Sequence, residues 1–208
     1  MPVLGGMYCF PGGTLRKDDC SAAMIERCAG LTAEEARKIV GAQFRPQEAA
    51  GLWVTGIREL FEEVGVLLAV KESGARLAMT SAHAARLIDE HRDRTTRSID
   101  FLSLLNAEHL RCALSRLAYF SHWQTPAQVS RRFDTHFFLA VIPGDQTPIE
   151  TSYEVAHSLW LTPDRALQLY GRGGLPMIFP TFASLRTLAD FETLESLLKE
   201  YFRDRSLL

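Results

Sequence analysis

The alternation of apolar and polar positions first becomes regular in residues 31–44, where it repeats with the period of a helix. Thr32 stands at the start of this segment and Glu35 follows three positions later, which is the pattern of a capping box. Gly41 lies just after the last periodic residue and is typical of a helix end. We therefore predict one capped helix that ends near Gly41.

A longer apolar pattern covers residues 49–65 and predicts a second helix, which Gly65 would stop. The apolar run that follows, residues 66–70, predicts a buried strand. Nearer the N-terminus, residues 8–15 predict a short strand that runs into a Gly-Pro loop. The first third of the chain thus alternates between the two kinds of element.

The remainder continues this alternation. Residues 80–117 show amphipathic helical spacing, and residues 181–201 predict two further helices. Thr162 and Pro163 form a helix start, with the threonine as the cap. Segments rich in aromatic and β-branched residues predict three strands, at residues 117–123, 135–142 and 157–163. Interleaved helices and strands favour an α/β layered domain.

The helix at residues 49–65 carries an unusual charge pattern. At about 100° per residue, Glu59, Glu62 and Glu63 fall on one face. The opposite, apolar face is predicted to be buried and consists of Ile57, Leu60, Phe61 and Val64. Two small residues, Thr55 and Gly56, flank the carboxylates and predict an empty shelf beside them.

Like charges this close repel one another, and a divalent cation would remove the repulsion. Mg²⁺ and Mn²⁺ prefer carboxylate oxygens, so we expect one of these ions at Glu59, Glu62 and Glu63. Arg58 would brace the neighbouring carboxylate of Glu62 by a bidentate hydrogen bond. The alternative is an ordinary solvated face of a surface helix.

Composition narrows the class of protein. The 208 residues are 47% hydrophobic and 23% charged, as in a soluble globular protein, and the net charge of -2 gives no reason to expect a nucleic-acid partner. No apolar run approaches the ~20 residues of a membrane span, and the N-terminus does not have the form of a signal peptide. The four cysteines form no Cys-x-x-Cys pair, which favours reduced thiols in a cytoplasmic protein.

The order of residues in "RELFEEVGV", residues 58–66, resembles the core of the nudix box, and the chain is identified as a member of the nudix hydrolases. In this family a glycine precedes the arginine, and "FPGG" supplies Gly13. Arg58 lies 45 positions after Gly13, several times the family spacing. The resemblance therefore implies a box split by a helical insertion at about residues 20–48, with Asp19 where the family has its first glutamate.

A split box after "FPGG" resembles the branch that hydrolyses coenzyme A and acyl-CoA. The segment "WQTPAQVSRRFDTHFFL", residues 123–139, strengthens this resemblance. It implies metal-dependent hydrolysis of coenzyme A or acyl-CoA to 3′,5′-ADP and (acyl-)4′-phosphopantetheine. The alternatives are an ADP-ribose or dinucleotide pyrophosphatase and, in another class, a non-catalytic nucleotide-binding regulator.

The implied fold is a nudix α/β/α sandwich around a mixed sheet, as a single domain over residues 1–208 with a helical tail from about 181. The implied cofactor is Mg²⁺ or Mn²⁺, and the implied partner is a small nucleotide substrate. Neither a nucleic acid nor a membrane is expected, and a homodimer stays open.

The resemblance also implies roles for individual residues. The implied catalytic residues are Glu59, Arg58 and a remote acidic residue. Glu154 is the first candidate for this acid and Glu150 is the second. The implied metal ligands are Glu59, Glu62, Glu63 and Asp19, and the implied substrate-binding residues are Gly12, Gly13, Arg131, Arg132 and Trp123.

Several of these residues also have purely structural interpretations. Arg131 or Arg132 would hold a 3′-phosphate, or one of them would pair with Asp134. Trp123 would stack on adenine, as would Phe133, or both would pack in the core. A structural role is expected for His122, at a strand end.

Overall fold

The computed structural model describes residues 6–93, 98–128, 132–149 and 157–202. The chain divides into two compact units. The first comprises Met1–Phe10, Tyr119–Phe137 and Ser158–Ser206, and the second comprises Pro11–Ala118, Phe138–His157 and Leu207–Leu208. Within the described residues, no helix combines the length and the apolarity that crossing a bilayer requires.

The second unit contains most of the regular structure. In chain order its elements are a 3₁₀ helix at Asp18–Cys20, α1 Ala22–Glu26, β1 Cys28–Ala29, α2 Ala33–Val40, α3 Pro46–Val64, β2 Ala69–Lys71, α4 Ser81–His91, α5 Phe101–Ala107, β3 Leu110–Ala113 and a 3₁₀ helix at Leu114–Arg116. Strand β3 lies between β1, to which it runs parallel, and β2, to which it runs antiparallel. The unit therefore has the mixed α/β character that the sequence predicted.

The helix termini follow the predicted signals closely. Thr32 caps α2 through a capping box with Glu35, and the helix ends at Gly41. Helix α3 begins three residues earlier than predicted, because Pro46 occupies its first turn, and it ends at Gly65 with φ 70°. A φ of this sign favours glycine, so the end of α3 is set by the local sequence.

Helix α3 forms the centre of the second unit. Trp53, Ile57 and Phe61 on its apolar face are at most 1% exposed, and the Trp53 Nε1–H donates to the carbonyl of Leu117 at 3.1 Å. The Trp53 ring also meets Phe138 edge-on, with the ring centroids 4.9 Å apart. Fully burying a large apolar side chain stabilises the fold by about 1.5–3 kcal/mol. Burial of this apolar face therefore fixes the orientation of α3, and with it the position of the opposite, acidic face.

The predicted empty shelf beside the carboxylates is wrong. A Cβ at Gly56 would lie 3.1 Å from a methyl group of Leu117 and 3.7 Å from the Phe138 ring. Thr55 is buried and its hydroxyl lies 2.9 Å from Asp19. The small residues thus allow close packing within the unit, and they leave no open space beside the acidic face.

Two segments of this unit differ from the prediction. Residues 80–117 were expected to be helical, but after α5 the chain forms strand β3, which is central in its sheet and almost wholly buried. A strand buried on both faces loses the alternation that would identify it. The strand predicted at residues 66–70 is displaced to β2, while Val66, Leu67 and Leu68 are buried before it.

The side chain of Gln146 takes the place of a strand beside Leu67. Its amide oxygen accepts from the Leu67 N–H at 2.9 Å, and its amide nitrogen donates to the Leu67 carbonyl at 3.0 Å. Gln146 is 8% exposed, so its own polar atoms need these partners. One side chain therefore satisfies both backbone groups of a buried residue.

The first unit is built on a small helical core. Helices α6 Pro163–Gly171, α7 Phe179–Ala189 and α8 Leu194–Tyr201 belong to it, and Thr162 caps α6 as predicted. Its apolar core is formed by Ala166, Leu175, Met177 and Leu185. The two helices predicted in the tail are confirmed as α7 and α8.

The strands predicted near this unit are confirmed in two of four cases. Strand β4 is Leu117–Gln124 and strand β5 is Asp134–Ala140, and they form a two-stranded sheet. The strand predicted at residues 157–163 is wrong, because residues 157–162 have no regular structure and are exposed. In place of the strand predicted at residues 8–15, Tyr8 alone forms an isolated β-bridge, to Met177, and the glycine loop follows directly after it.

Candidate functional site

Two carboxylates of the α3 acidic face converge on one nitrogen atom. Nη1 of Arg58 donates to Oε1 of Glu59 at 2.7 Å and to Oε1 of Glu62 at 3.2 Å. Glu59 is 7% exposed and Glu62 is half-buried. The helical spacing that placed these residues on one face therefore brings Glu59 and Glu62 together at the border of the core.

Arg58 is almost completely buried, with a side chain 1% exposed. Its other nitrogens bind Asp19: Nε donates to Oδ1 at 2.9 Å and Nη2 donates to Oδ2 at 3.0 Å. Nη2 also donates to the carbonyl oxygen of Thr14 at 3.2 Å. Burial opposes the charged form, but hydrogen bonding to Asp19 and the nearby carboxylates outweigh it and raise the pKa of Arg58 further above its usual range.

Asp19 is itself surrounded by donors. Its side chain is 2% exposed, and besides Arg58 it receives the backbone N–H of Arg16 at 3.0 Å and faces the Thr55 hydroxyl at 2.9 Å. Both of its carboxylate oxygens are thus engaged within the protein. The ligand role implied for Asp19 stays a prediction, and the contacts in this structure are those of an anchor for Arg58.

Arg16 is a member of the site that sequence reasoning missed. Its two terminal nitrogens donate to Oε1 and Oε2 of Glu62 at 3.1 and 3.3 Å, and Nη2 lies 3.9 Å from Oε1 of Glu59. The backbone N–H of Ile99 also donates to Glu62 at 3.2 Å. Arg16 and Glu62 are 46 positions apart, so no local spacing in the sequence indicates their contact.

The glycine loop lies directly against the acidic face. A Cβ placed on Gly13 would be 2.2 Å from Oε1 of Glu59 and 2.4 Å from its carboxyl carbon. Real Cβ contacts are essentially never this short, so any larger residue here would have to displace the Glu59 carboxylate. The loop therefore packs beside α3, which brings the two segments that the nudix resemblance assigned to one box together.

Charge within this cluster is unbalanced. The carboxylates of Asp19, Glu59 and Glu62 contact the guanidinium groups of Arg58 or Arg16, and three negative charges against two positive charges leave one negative charge among these side chains. Burial raises the pKa of Glu59, against the opposing influence of Arg58. Carboxylate oxygens at the border of the core, with one excess negative charge, fit the oxygen ligands that Mg²⁺ and Mn²⁺ prefer.

The remaining predicted site residues divide into two groups. Glu154, Glu150 and Arg131 lie outside the described residues. Gly12 is exposed, and a Cβ there would meet nothing within 4 Å. The structure thus leaves Gly12 sterically open beside Gly13, and the substrate-binding role of both glycines stays a prediction.

Three further candidates belong to the first unit. Arg132 is exposed, and Phe133 is 43% exposed. Trp123 is half-buried and meets Phe179 edge-on, with the ring centroids 5.4 Å apart. This contact supports the packing alternative for Trp123, while Arg132 and Phe133 present side chains to solvent.

A second polar cluster in the first unit was not predicted as a group. It comprises His122, for which a structural role was expected, Asp134, which was considered as an arginine partner, and His136, which was not singled out. The residues come from β4 and β5, two strands whose separation along the chain hides the cluster from sequence spacing.

Comparison with known proteins gives concordant results. Residues 2–188 match the family model described as the NUDT19 Nudix domain. A crystal structure of a nudix hydrolase from Alicyclobacillus acidocaldarius superposes with a TM-score of 0.72 and 26% identity, covering 96% of this chain and 83% of that one.

Among curated proteins, the chain is similar to three named acyl-coenzyme A diphosphatase NUDT19. The Xenopus laevis protein is 28% identical over 168 residues, 74% of this chain and 43% of the relative. The Gallus gallus protein is 28% identical over a 236-residue alignment, which covers 96% of this chain and 61% of the relative. The Homo sapiens protein is 30% identical over 157 residues, which cover 70% of this chain and 41% of the relative. The chain therefore matches between about two fifths and three fifths of the length of these relatives.

Proposed function

The chain belongs to the nudix hydrolases and carries a NUDT19 Nudix domain, and from this premise we propose that it hydrolyses the diphosphate of coenzyme A or acyl-CoA. The products would be 3′,5′-ADP and 4′-phosphopantetheine or its acyl derivative. Water would attack one phosphorus atom of the diphosphate, the other phosphate would leave, and the acyl thioester would stay intact. The substrate class follows the printed name of the relatives, and the reaction type follows the family.

The observation that carries this proposal is the contact between Gly13 and Glu59. The two residues are 46 positions apart, yet a Cβ on the glycine would touch the carboxylate. An insertion that disrupted the box would have separated the glycine loop from α3. The packing instead keeps both parts of the box in one place, which supports a working site.

Glu59, Glu62 and Glu63 are the residues that would hold the divalent ion. When bound, Mg²⁺ or Mn²⁺ would neutralise the diphosphate and lower the pKa of an attacking water. Glu59 and Glu62 share the Arg58 nitrogen, and Glu63 lies one position along the same helix.

The protein's own residues orient these carboxylates. Arg58 is held from behind by Asp19 and therefore presents a fixed nitrogen to Glu59 and Glu62. Gly13 lies against Glu59, and Arg16 holds both oxygens of Glu62. Arg58 and Gly13 thereby fix the Glu59 carboxylate in advance, as in a preorganised site, whereas Arg16 would release at least one oxygen of Glu62 when the ion binds.

Recognition of the substrate would involve a cation for the 3′-phosphate. Arg132 is the described candidate, because it is exposed and precedes Phe133 in the "RRFDT" segment that resembles the coenzyme A branch. A guanidinium group suits phosphate through parallel hydrogen bonds.

The test is a hydrolysis screen of coenzyme A, acyl-CoA, ADP-ribose, NADH and diadenosine polyphosphates with Mg²⁺ and with Mn²⁺. We expect coenzyme A or acyl-CoA to give the highest kcat/KM. Preference for ADP-ribose would replace the substrate assignment and keep the metal chemistry, and binding without hydrolysis of any compound would indicate a regulator.

The variant Glu62→Gln tests the metal site, and Glu90→Gln is its control. Losing a ligand charge removes several kcal/mol of transition-state stabilisation, so we expect turnover to fall by at least ~100-fold at unchanged folding. Glu90 lies on α4 in an exposed pair with Arg86, and its substitution should leave turnover unchanged. Turnover of Glu62→Gln within threefold of wild type would remove Glu62 from the metal site.

A further inference from the structure

Two strands in the chain bring two imidazoles and a carboxylate together. His122 lies on β4, and Asp134 and His136 lie on β5. One ligand atom from each residue, a ring nitrogen or a carboxylate oxygen, falls within 4.8 Å of the other two. The rings of His122 and His136 are stacked with centroids 4.2 Å apart, and Nε2 of His122 contacts Oδ1 of Asp134.

The cluster is supported by a second layer of hydrogen bonds. The Tyr119 hydroxyl lies 2.9 Å from Nδ1 of His136, which leaves Nε2 of that ring directed towards Asp134 at 3.7 Å. Gln124 donates to Oδ2 of Asp134 at 3.0 Å, which leaves Oδ1 on the side of both rings. Metal-ligating histidines and carboxylates are oriented by partners of this kind.

We propose that His122, Asp134 and His136 form a binding site for a divalent transition-metal ion such as Zn²⁺. Imidazole nitrogens favour Zn²⁺ and its neighbours over Mg²⁺, whereas the all-carboxylate set on α3 favours Mg²⁺ or Mn²⁺. Two histidines and one carboxylate are a common three-ligand set for zinc. The site belongs to the first unit and is independent of the proposed hydrolysis.

The cluster is open enough for an ion to enter. The His136 side chain is 6% exposed, whereas that of His122 is 30% exposed and that of Asp134 is 54% exposed. Ligands of a tetrahedral zinc ion lie about 3.3 Å apart, so the 3.7 Å between His136 and Asp134 already suits one. On binding, the ion would lie between His122 and Asp134, their direct contact would lengthen, and water would complete the coordination.

Such an ion would join β4 to β5. The segment between these strands, residues 125–133, contains Arg132, the described candidate for the substrate phosphate. An ion that binds the folded sheet but not the unfolded chain stabilises it by mass action. We therefore expect Zn²⁺ to raise the melting temperature of the protein.

The experiment measures the zinc content of the full chain after dialysis against Zn²⁺ in excess Mg²⁺, which competes with Zn²⁺ for the remaining carboxylate oxygens. The protein used is a double variant, Glu62→Gln with Glu63→Gln, so that the carboxylates of α3 bind no zinc. We expect one Zn²⁺ per chain in this background. His122→Asn and Asp134→Asn should each lower Zn²⁺ affinity by at least ~100-fold, because each removes a ligand.

His109→Asn is the control, since His109 is 79% exposed at the side chain and lies outside the cluster. Its φ of 53° is also one that asparagine tolerates. Co²⁺ offers a second readout, because a four-coordinate site gives strong visible absorption that His122→Asn should abolish. Retention of one tightly bound Zn²⁺ in both His122→Asn and Asp134→Asn, or its loss in His109→Asn alone, would overturn the proposal.

Discussion

The guanidinium group of Arg58 and the carboxylate of Asp19 face each other through two hydrogen bonds, Nε to Oδ1 at 2.9 Å and Nη2 to Oδ2 at 3.0 Å. The two side chains are 1% and 2% exposed, and the residues are 39 positions apart. This buried pair joins the segment before the insertion to the helix after it. The pair and the Gly13 contact both connect the segment that contains the glycine loop to α3.

Arg58→Ala should lower the free energy of unfolding by about 3–5 kcal/mol, because it leaves Asp19 as a buried charge without its partner. Chemical denaturation measures this change. Arg86→Ala is the control, since Arg86 is 51% exposed and pairs with Glu90 on the surface of α4. A loss in Arg58→Ala no larger than that in Arg86→Ala would show that the pair does not hold the box together.

Asp19→Asn distinguishes an anchor from a metal ligand. Its hydrogen bonds to the charged Arg58 are worth about 1.5–3 kcal/mol each, so we expect a measurable loss of stability. As an anchor, Asp19 would leave Mn²⁺ affinity of the folded protein within ~3-fold of wild type, a change of under 1 kcal/mol. Titration calorimetry with Mn²⁺ decides this, with Glu63→Gln as the variant that should lose affinity. An equal loss in Asp19→Asn would restore the ligand role.

Gly13→Ala tests the contact between the glycine loop and Glu59. The added methyl group would lie 2.2 Å from Oε1 of Glu59 and must displace that carboxylate. We expect kcat to fall by ~10- to 100-fold, which corresponds to about 1.4–2.7 kcal/mol of transition-state stabilisation. Steady-state kinetics of coenzyme A hydrolysis measures this change.

Gly144→Ala is the matched control for that variant, because a Cβ there meets nothing within 4 Å. It should retain both activity and stability. If Gly13→Ala were as active as Gly144→Ala, the position of the Glu59 carboxylate would not matter for the reaction.

Arg132→Ala tests recognition of the 3′-phosphate, which coenzyme A has and dephospho-CoA lacks. A charge-assisted contact is worth about 1.5–3 kcal/mol, or roughly 10- to 150-fold in specificity. We expect the wild-type preference for coenzyme A in kcat/KM to shrink by that factor in Arg132→Ala. Arg172→Ala, at the exposed end of α6, should keep the preference. Equal wild-type values for the two substrates would eliminate 3′-phosphate recognition.

Local interactions account for what the sequence predicted well. The Thr32–Glu35 capping box, the Gly65 terminus and the Thr162 cap all involve residues within four positions of their partners. Strand β3 was missed because it pairs with β1 and β2, strands that lie far from it in the sequence. The exposed segment at 157–162 was mistaken for a strand because composition does not reveal burial.

The candidate site shows the same difference between local interactions, which the sequence indicated, and long-range interactions, which it did not. Glu59, Glu62 and Glu63 were placed on one face because a single helix carries them. The contacts of Asp19 and Arg16 with α3 join residues 39 and 46 positions apart, so the sequence gave the position of Asp19 without its partners and did not identify Arg16. His136 was missed because the cluster depends on how β4 meets β5.

Gln146 has a consequence for how far apart in the sequence a stabilising contact can lie. Its side-chain amide occupies both backbone groups of the buried Leu67, although the two residues are 79 positions apart. A substitution that removed this amide would take away both hydrogen bonds, and each buried polar group left unsatisfied costs about 1–3 kcal/mol. One side chain late in the second unit therefore helps to fix the backbone of the apolar run Val66–Leu68 that follows α3.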